Sequence, residues 1–522
     1  MKKKYVLAHD VGTSSNKAVL VGLDTSIKGT ETADYCVDYS EGGCAEQTPS
    51  DWWNSVTTTT KDLLRKTRIK SSDIIGLVFS TQMAGIIPVD GEGDPLMSCM
   101  TWLDTRASEQ ARKIWKGLIK ISGYNIFTLY KFLRITGGAP GHTGKDPICK
   151  MLWLKDNEPD IYSKTFKFLD CRDYLLYKTT GKFVTSRDHA NITWLMDTRE
   201  DRLCWSDSIL RKYGIEKEKL PEIKKATDIA GKITRSAATE LGLDDGLPVI
   251  VGAGDMSSAA IGSGAALENQ IHAYVGTSSW VACHVSERKK DIRHYIGSIC
   301  SANPDMYLCV AEQETAGACL EWIKENIFRE SMKDVYDMFS SMAVDVEPGS
   351  KGVIFTPWMF GERAPLDDAT VRGGFHNLSL EHSRGHIVRS VFEGVAFNMK
   401  WALHYLEKLT KKAEAINMIG GGAISNTWCQ IFADVLDRPI KQMQNPKEAG
   451  AKGAAIIAAV ALGLRERLED AANLIKPNKI FKPNPENVKI YERIFEEFKN
   501  IYRSNKQIYR RLNLSKGEEA SS

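Results

Sequence analysis

Residues 8–19 read Ala-His-Asp-Val-Gly-Thr-Ser-Ser-Asn-Lys-Ala-Val, and their central string, Gly-Thr-Ser-Ser, returns at residues 276–279. Each copy lies between two short apolar runs, which predicts a β-hairpin around each glycine-hydroxyl turn. The second copy begins about half the chain after the first. Four matching residues can arise by chance, but the shared hairpin context favours a duplicated α/β domain. One hairpin from each copy would then line a common cleft.

The chain has 522 residues, of which 43% are hydrophobic and 26% are charged. This composition is that of an ordinary globular protein, and the length suits two or three domains. The 69 Lys and Arg against 66 Asp and Glu leave a formal charge of +3, which gives no strong field for DNA or an anionic membrane. We therefore expect no nucleic acid and no membrane among its partners.

The 11 cysteines include no C-x-x-C pair, so reduced thiols are a better interpretation than a disulfide framework. The apolar run that follows the N-terminal lysines ends at His9, which is too early for a signal peptide. No apolar stretch reaches the ~18 residues of a membrane span. These observations predict a cytoplasmic protein.

The first hairpin turn suits a phosphate group. Gly12, Thr13 and Ser14 offer backbone N–H groups and hydroxyls that can converge on phosphate oxygens. The carboxylate of Asp10 can orient Mg²⁺ through water, since Mg²⁺ prefers oxygen ligands and keeps several waters. A surface turn rich in Gly and Ser is the alternative, and the second copy at 276–278 weighs against it.

A second candidate is Asp255, which follows the apolar run 249–251 and the glycines Gly252 and Gly254. An aspartate at the carboxyl end of a strand points into a cleft, where it can take the proton of a substrate hydroxyl during phosphoryl transfer. The alternative is a turn aspartate that caps the next helix, and the two roles are compatible.

Three consecutive glycines, Gly420 to Gly422, precede a helix predicted over 427–435, and they would let an adenosine lie flat on the backbone. Small residues at 449–455 start another helix that can approach a neighbour closely. Gly144-Lys145 is not a P-loop, because Ala139 stands where the motif needs glycine and Asp146 replaces the Ser or Thr. The scattered histidines show no metal-ligand spacing.

These segments, taken in order, resemble the FGGY carbohydrate kinases, and most closely their xylulokinase-like branch. Single motifs are weak, whereas the ordered set, which spans about residues 4–465, is specific. The motifs that carry the resemblance are 10–15, Lys150–Leu154, 170–175, Gly254-Asp255, Gly276-Thr277-Ser278, Gly361-Glu362-Arg363-Ala364-Pro365, Phe392-Glu393-Gly394, Gly420-Gly421-Gly422-Ala423 and Glu448-Ala449-Gly450.

The resemblance implies a two-domain α/β protein of the actin/hexokinase-like fold, with ribonuclease-H-like cores and a catalytic cleft between the domains. We expect an N-terminal domain at 1–252, a C-terminal domain at 253–480, and a C-terminal helix and tail at 481–522. It also implies transfer of the γ-phosphoryl group of ATP, with Mg²⁺, to a sugar or polyol hydroxyl.

Matching positions carry the expected roles. Asp255 would be the proton acceptor and Asp10 a catalytic group of the phosphate region, and both carboxylates would serve the metal. ATP would contact Gly12, Thr13, Ser14, Gly276, Thr277, Gly421, Gly422 and Asn426. The acceptor would contact Gln82, Met83, Ala84, Trp102, Asp104 and Asp255. For Trp102, Asp104 and Arg106, a structural salt-bridge role is an equal alternative.

Two departures concern the substrate. Ala84 stands where xylulokinases typically have histidine, and Met256 stands where the family commonly has Asn or Gln. Both changes remove polar groups from the expected sugar pocket, and a pocket without donors discriminates poorly among hydroxyls. A pentulose such as D-xylulose is the leading expectation. Ribulose, gluconate, glycerol or another polyol is the alternative, and a non-kinase actin-like ATPase is a more distant one.

Three further expectations concern the periphery. Lys452 replaces an apolar residue of the family motif, and we interpret it as solvent-exposed variation. Apolar residues between 490 and 512 recur at a helical period, which predicts a packed helix. Residues 515–522 are expected to form a disordered tail, and a homodimer is compatible with the sequence.

Overall fold

The computed structural model describes residues 4–121, 123–329 and 334–513. The first domain is built on a six-stranded sheet in the order β5-β6-β4-β1-β2-β3. The first three strands are antiparallel neighbours, and β4 and β6 run parallel to β1. The strands are β1 Tyr5–Val11, β2 Ser15–Gly22, β3 Ile27–Asp34, β4 Ile74–Thr81, β5 Ile229–Lys232 and β6 Pro248–Gly254.

The second domain repeats this topology within an eight-stranded sheet in the order β9-β10-β11-β8-β7-β12-β13-β14. Its central strands β11-β8-β7 are antiparallel, and β12 and β13 run parallel to β7, as β4 and β6 do to β1. The strands are β7 Ile271–Val275, β8 Ser279–Val285, β9 Lys290–Asp291, β10 Ile296–Cys300, β11 Tyr307–Gln313, β12 Ile416–Ile419, β13 Ile440–Met443 and β14 Pro477–Phe481.

The two Gly-Thr-Ser-Ser strings therefore occupy equivalent positions, the β1–β2 and β7–β8 turns. The predicted duplication and the two ribonuclease-H-like cores are confirmed. The principal helices are α1 Pro49–Thr67, α2 Cys171–Thr180, α3 Asp255–Gly262, α4 Arg384–Leu409, α5 Asn426–Leu436, α6 Ala449–Ala461 and α7 Pro485–Asn513.

Helices α3 and α6 cross where the domains meet. A Cβ atom on Gly262 would lie 1.7 Å from the carbonyl oxygen of Ala449, and one on Gly453 would lie 1.8 Å from that of Ser258. The small residues of α6 therefore allow backbone-to-backbone contact. Around this crossing, apolar side chains of the first sheet, such as Ile250, share a core with those of the second, such as Trp280.

Helix α7 confirms the periodicity seen at 490–512. It buries Tyr491, Ile494, Phe495 and Phe498 in the core of the second domain. Residues 515–522, expected to form the tail, lie outside the described residues. Strand β6 continues to Gly254, so the first sheet extends just beyond the boundary predicted at 252. Among the described residues, no helix is both long and apolar enough to cross a membrane.

Between β4 and β5, an insertion of helices and short strands completes the first domain, and it has its own hydrophobic cluster. The remaining α-helices are Ser108–Ile114, Ile126–Ile135, Pro147–Asn157, Pro159–Lys164, Arg187–Ile192, Asp207–Tyr213, Arg235–Leu241, Gly317–Ile323, Val335–Val344 and Ala471–Leu474. The remaining strands are Asp38–Ser40, Cys44–Gln47, Ile87–Val89, Cys99–Met100, Lys120–Ile121, Tyr124–Asn125, Lys167–Leu169, Val184–Ser186, Met196–Asp197, Cys204–Trp205, Glu222–Lys224, Ile354–Thr356 and Gly374–His376.

Candidate functional site

Two carboxylates lie at the carboxyl ends of parallel strands in the first sheet. Asp10 is in β1, and Asp255 follows β6 as the first residue of α3. Strand β4 separates them, and its Ser80 hydroxyl donates to Asp10 Oδ1 at 2.9 Å. Asp255 Oδ1 accepts the backbone N–H of Met256 at 2.8 Å. This topology brings the two predicted catalytic aspartates to one edge of the sheet.

The pKa values of both carboxyl groups are raised. Burial, followed by the negative charge of Asp10, raises the pKa of Asp255 to about 8. Burial also raises the pKa of Asp10, although the nearby Lys17 ammonium opposes the shift. The Tyr274 hydroxyl of the second domain has its pKa raised by burial and by both carboxylates. Tyr274 therefore lies close enough to both carboxylates for their charges to act on its hydroxyl.

The N-terminus of α6 also reaches this acidic pair. A Cβ atom on Gly450 would lie 2.6 Å from Asp10 Oδ2, so the helix backbone approaches the carboxylate closely. The Lys17 ammonium donates to the carbonyl of Lys447 at 2.7 Å, just before the same helix. These contacts join the first hairpin to the second domain.

Each glycine-hydroxyl turn is closed by a hydrogen bond from its glycine N–H, although the second turn is one residue shorter than the first. Gly12 N–H donates to the carbonyl of Ser15 at 2.9 Å, and Gly276 N–H donates to that of Ser278 at 2.9 Å. Ser14 and Thr277 are exposed at the tips. Both turns therefore leave hydroxyls accessible to a ligand, as the phosphate-binding prediction requires.

A cavity of about 550 Å³ lies beside the predicted adenosine segment. Asn426 and Gln442 line it, and the Gln442 side-chain amide donates to Asn426 Oδ1 at 3.1 Å and to the carbonyl of Ala423 at 2.8 Å. Of the predicted glycines, Gly421 is exposed, whereas Gly422 is buried against Val275. Asn426 thus reaches the cavity directly, and Gly422 supports its wall.

The predicted acceptor residues lie on two segments of the first domain. Gln82 donates through Nε2 to Gln47 Oε1 at 2.7 Å, and its own Oε1 is buried without a hydrogen-bond partner among the described residues. Ala84 adopts a φ of 66°, and the Met83 side chain packs against Gly254, directly before Asp255. The segment 82–84 therefore adjoins the candidate base.

Trp102 connects the first hairpin to the cleft. Its indole N–H donates to Thr13 Oγ1 at 2.9 Å. The Lys145 ammonium lies 5.9 Å from its ring centroid, and the Arg363 guanidinium of the second domain lies 5.6 Å from it. Trp102 thus contacts groups from both domains.

Asp104 is held inside the first domain, and the acceptor role expected for it stays a prediction. Its side chain is fully buried, accepts the backbone N–H of Ala45 at 2.9 Å and pairs with Arg106 at 2.7 Å. Arg106 also pairs with Glu46 at 2.6 Å. These contacts favour the structural alternative for the Asp104–Arg106 salt bridge.

Lys452 is likewise not solvent-exposed. It is buried on α6 and donates to the carbonyl of Gln444, a residue that lines the 550 Å³ cavity. Burial lowers its pKa to about 8. The loop at 444–446 folds over this helix position, and that long-range contact leaves no trace in the local sequence.

Sequence reasoning missed a charged cluster across the cleft. Lys145 of the first domain lies 3.6 Å from Glu314 of the second, and Arg363 pairs with both Glu314, at 2.6 Å, and Glu312. Glu362 supports the cluster, because its Oε1 accepts the backbone N–H groups of Glu314 and Arg363 at 3.0 and 2.8 Å. The Gly361-Glu362-Arg363 motif could have indicated two members of this cluster, Glu362 and Arg363.

Comparison with known proteins settles the family. Models of the FGGY family of carbohydrate kinases match the chain with the N-terminal domain at residues 5–262 and the C-terminal domain at 272–462. The chain belongs to the FGGY family of carbohydrate kinases. A xylulose kinase of Bacillus subtilis (strain 168) is 28% identical over 508 residues, which cover 97% of this chain and 98% of that protein.

Solved structures of two sugar kinases share the whole fold. A gluconate kinase and a ligand-bound xylulose kinase, both from Lactobacillus acidophilus, each superpose with a TM-score of 0.86 at 28% identity. Each comparison covers 98% of this chain and 100% of the other. The chain is therefore a carbohydrate kinase, a phosphotransferase of a family that uses ATP.

Proposed function

We propose that this FGGY kinase transfers the γ-phosphoryl group of ATP to a hydroxyl of a ketopentose such as D-xylulose, with Asp255 as the general base. The observation that carries the proposal is the position of Asp255. It lies at the cleft, beside Asp10, with its pKa raised to about 8. A carboxylate with a pKa near the working pH is well suited to accept a proton in the transition state.

The chemistry requires positioning more than covalent work. Asp255 takes the proton of the acceptor hydroxyl while that oxygen attacks the γ-phosphorus and the bond to the ADP oxygen breaks. The hydroxyls of the turns at 12–14 and 276–277, together with turn N–H groups other than those of Gly12 and Gly276, hold the phosphate oxygens. Closure of the two domains keeps water, a competing acceptor, away from the phosphoryl group.

The acidic pair fits a divalent cation. The negative charge of Asp10 adds to the burial that raises the pKa of Asp255, and a cation would relieve this repulsion. Among the described residues, no third His, Cys, Asp or Glu completes a protein-only metal site. Mg²⁺ typically uses one or two carboxylates together with phosphate oxygens and waters, so this donor set suits it. When bound, Mg²⁺ neutralises charge on the phosphates. Asp10 would hold it directly or through water, with Asp255 nearby.

The adenosine part of ATP would occupy the cavity beside Asn426. The Asn426 amide is held by Gln442, and Gly421 leaves an open surface next to it. Gly276 and Thr277 lie on the turn after β7, which is parallel to the strand β12 that leads into the glycine triplet. Phosphates and base would therefore lie along one edge of the second sheet.

The charges of the cleft favour an uncharged acceptor. The cations near Trp102 are each matched by carboxylates, Lys145 by Glu314 and Arg363 by Glu312 and Glu314. An aldonate such as gluconate would need an uncompensated cation, since a carboxylate is costly to desolvate without one. The unpartnered Gln82 Oε1 instead offers an acceptor for a sugar hydroxyl. Likeness to the gluconate kinase keeps gluconate as the second candidate.

An acceptor panel tests the proposal. ADP release with MgATP is measured in the presence of D-xylulose, D-ribulose, D-gluconate or glycerol, with Asp255→Asn as the control variant. We expect the largest stimulation of ADP release with D-xylulose. A preference for gluconate would contradict the charge argument, and ADP release without any acceptor dependence would contradict the phosphotransfer mechanism.

We further propose that the enzyme is cytoplasmic, because the cytoplasm supplies ATP and keeps cysteine thiols reduced. Homodimer formation stays a prediction, which a measurement of the molecular mass in solution would test.

A further inference from the structure

The loop that carries Gln82, Met83 and Ala84 is held from inside the protein by a buried lysine. Lys150 is fully buried, and its ammonium donates to the carbonyl of Ala84 at 2.8 Å and to the carbonyl of Thr101 at 2.7 Å. Ala84 and Thr101 lie on the two separate segments that present the proposed acceptor residues. One side chain therefore ties the 82–84 loop to the residue before Trp102.

The same peptide unit is held on its other side. Gly85 N–H donates to Asp170 Oδ1 at 3.1 Å, while the carbonyl of Ala84 accepts from Lys150. These two groups belong to a single peptide bond, so its plane is fixed by a cation at one edge and an anion at the other. Ala84 has a φ of 66°, a backbone conformation that is costly for alanine and persists only where its surroundings enforce it.

The charge of Lys150 is compensated by its neighbours rather than by solvent. Burial lowers the pKa of Lys150 to about 8, and the carboxylates Asp104, Asp146 and Asp170 act in the opposite direction. Asp104 and Asp170 are themselves held, by Arg106 and by His189 at 3.0 Å. Charged side chains thus surround the Lys150 ammonium. Lys150 is not part of the proposed phosphate site or of the Asp10–Asp255 pair.

We propose that Lys150 and Asp170 are positioning residues that clamp the Ala84–Gly85 peptide and thereby fix the acceptor site of this kinase. The proposal rests on the proposed function in placing the acceptor at residues 82–84 and 102. Neither residue touches the acceptor. Both act through the backbone, so their loss should displace Gln82 and Trp102 relative to Asp255 while leaving the nucleotide side in place.

The experiment compares Lys150→Met with Lys219→Met in the full-length enzyme. Lys219 is a matched control, because it is also a buried lysine that donates to two carbonyls, those of Tyr162 at 3.1 Å and Thr165 at 2.7 Å, away from the cleft. For each variant, kcat and the two KM values are measured by ADP release with ATP and with the acceptor that the wild type uses in the panel.

We expect Lys150→Met to lower kcat/KM for the acceptor by about 100-fold, the effect of a displacement of about 1 Å in a reacting group, and to leave KM for ATP unchanged. Lys219→Met should lower the melting temperature and leave both KM values unchanged. Equal kcat/KM values for the acceptor in the two variants would overturn the clamp. If Lys150→Met does not fold, Asp170→Asn replaces it. This variant retains an oxygen acceptor but loses its charge, and an unchanged kcat/KM for the acceptor would again overturn the inference.

A wild-type enzyme that does not act on D-xylulose would contradict the proposed substrate, and not the clamp. The clamp is then judged with whichever acceptor the panel identifies.

Discussion

Gly453→Ala tests the crossing of α3 and α6, on which the position of Asp255 depends. The added Cβ would lie 1.8 Å from the carbonyl oxygen of Ser258, whereas real Cβ atoms essentially never come closer than 3.0 Å to such an atom. The two helices must therefore separate locally by about 1.2 Å. Ser258 is one turn from Asp255 on α3, and Gly450, against Asp10, is one turn from Gly453 on α6.

Two opposing effects set the magnitude. Alanine is a better helix former than glycine by about 1 kcal/mol, which alone would stabilise the variant. Forcing atoms into a packed interface costs ~1–3 kcal/mol, and here the partner is backbone, which cannot rotate away. Because the backbone partner cannot move aside, we take the upper part of this cost, about 2–3 kcal/mol, and expect net destabilisation of about 1–2 kcal/mol. We also expect a fall in kcat/KM of about 100-fold, because reacting groups displaced by about 1 Å lose that much.

The assay combines thermal unfolding with ADP release, and Gly297→Ala is the control, since a Cβ there would meet open space. The control should keep wild-type activity. A Gly453→Ala variant that melts at or above the wild-type temperature with unchanged kcat would show that helix propensity wins. In that case the reasoning about the crossing would be refuted.

Three other predictions follow from single side chains. Between about pH 4 and pH 8, the folded state keeps a proton on Asp255 that the unfolded state has released, because the pKa of Asp255 is raised to about 8. The protonated Asp255 side chain therefore contributes its full stabilisation below pH 4 and loses it as the pH rises to about 8. Asp255→Asn should therefore match the wild-type melting temperature near pH 4 and exceed it at pH 8.5, and equal melting temperatures at both pH values would contradict the shift. Lys452→Met should raise KM for ATP about tenfold, because the Gln444 carbonyl beside the cavity loses a charged donor, and unchanged KM values would remove the lysine from the nucleotide site. Trp102→Phe keeps a ring between the two cations but loses the bond to Thr13, so kcat/KM for the acceptor should fall about 5- to 10-fold, and wild-type kinetics would argue against a role for that bond.

The fold could be predicted because its deciding signals are local. A glycine-hydroxyl turn between two apolar runs forms a hairpin from neighbouring residues alone, and its return near residue 276 indicates a second copy. Asp255 could also be placed, since the run 249–251 and the glycines after it define a strand end. The topology then brings it to the edge where Asp10 lies.

The features that the sequence could not reveal are contacts between distant residues. The helical pattern around Lys452 does not show whether this residue is exposed. The loop at 444–446, which packs against it and accepts its hydrogen bond, buries it. Asp104 and Arg106 form an i,i+2 pair that also bonds to Ala45 and Glu46, so the sequence could not separate a cleft role from a structural one. Lys150 belonged to a recognised motif, but its two carbonyl partners lie 66 and 49 residues away along the chain.

Asp255→Asn provides the most direct test of the proposed mechanism. Its kcat is compared with that of the wild type under saturating MgATP and acceptor, together with the KM for ATP and a thermal melt. We expect kcat to fall by ~10²–10⁴-fold, the usual worth of a general base, while KM for ATP stays unchanged and the fold is retained. A variant that keeps its kcat within about threefold of the wild-type value would contradict the assignment of Asp255 as the proton acceptor, because loss of a general base lowers kcat far more than this.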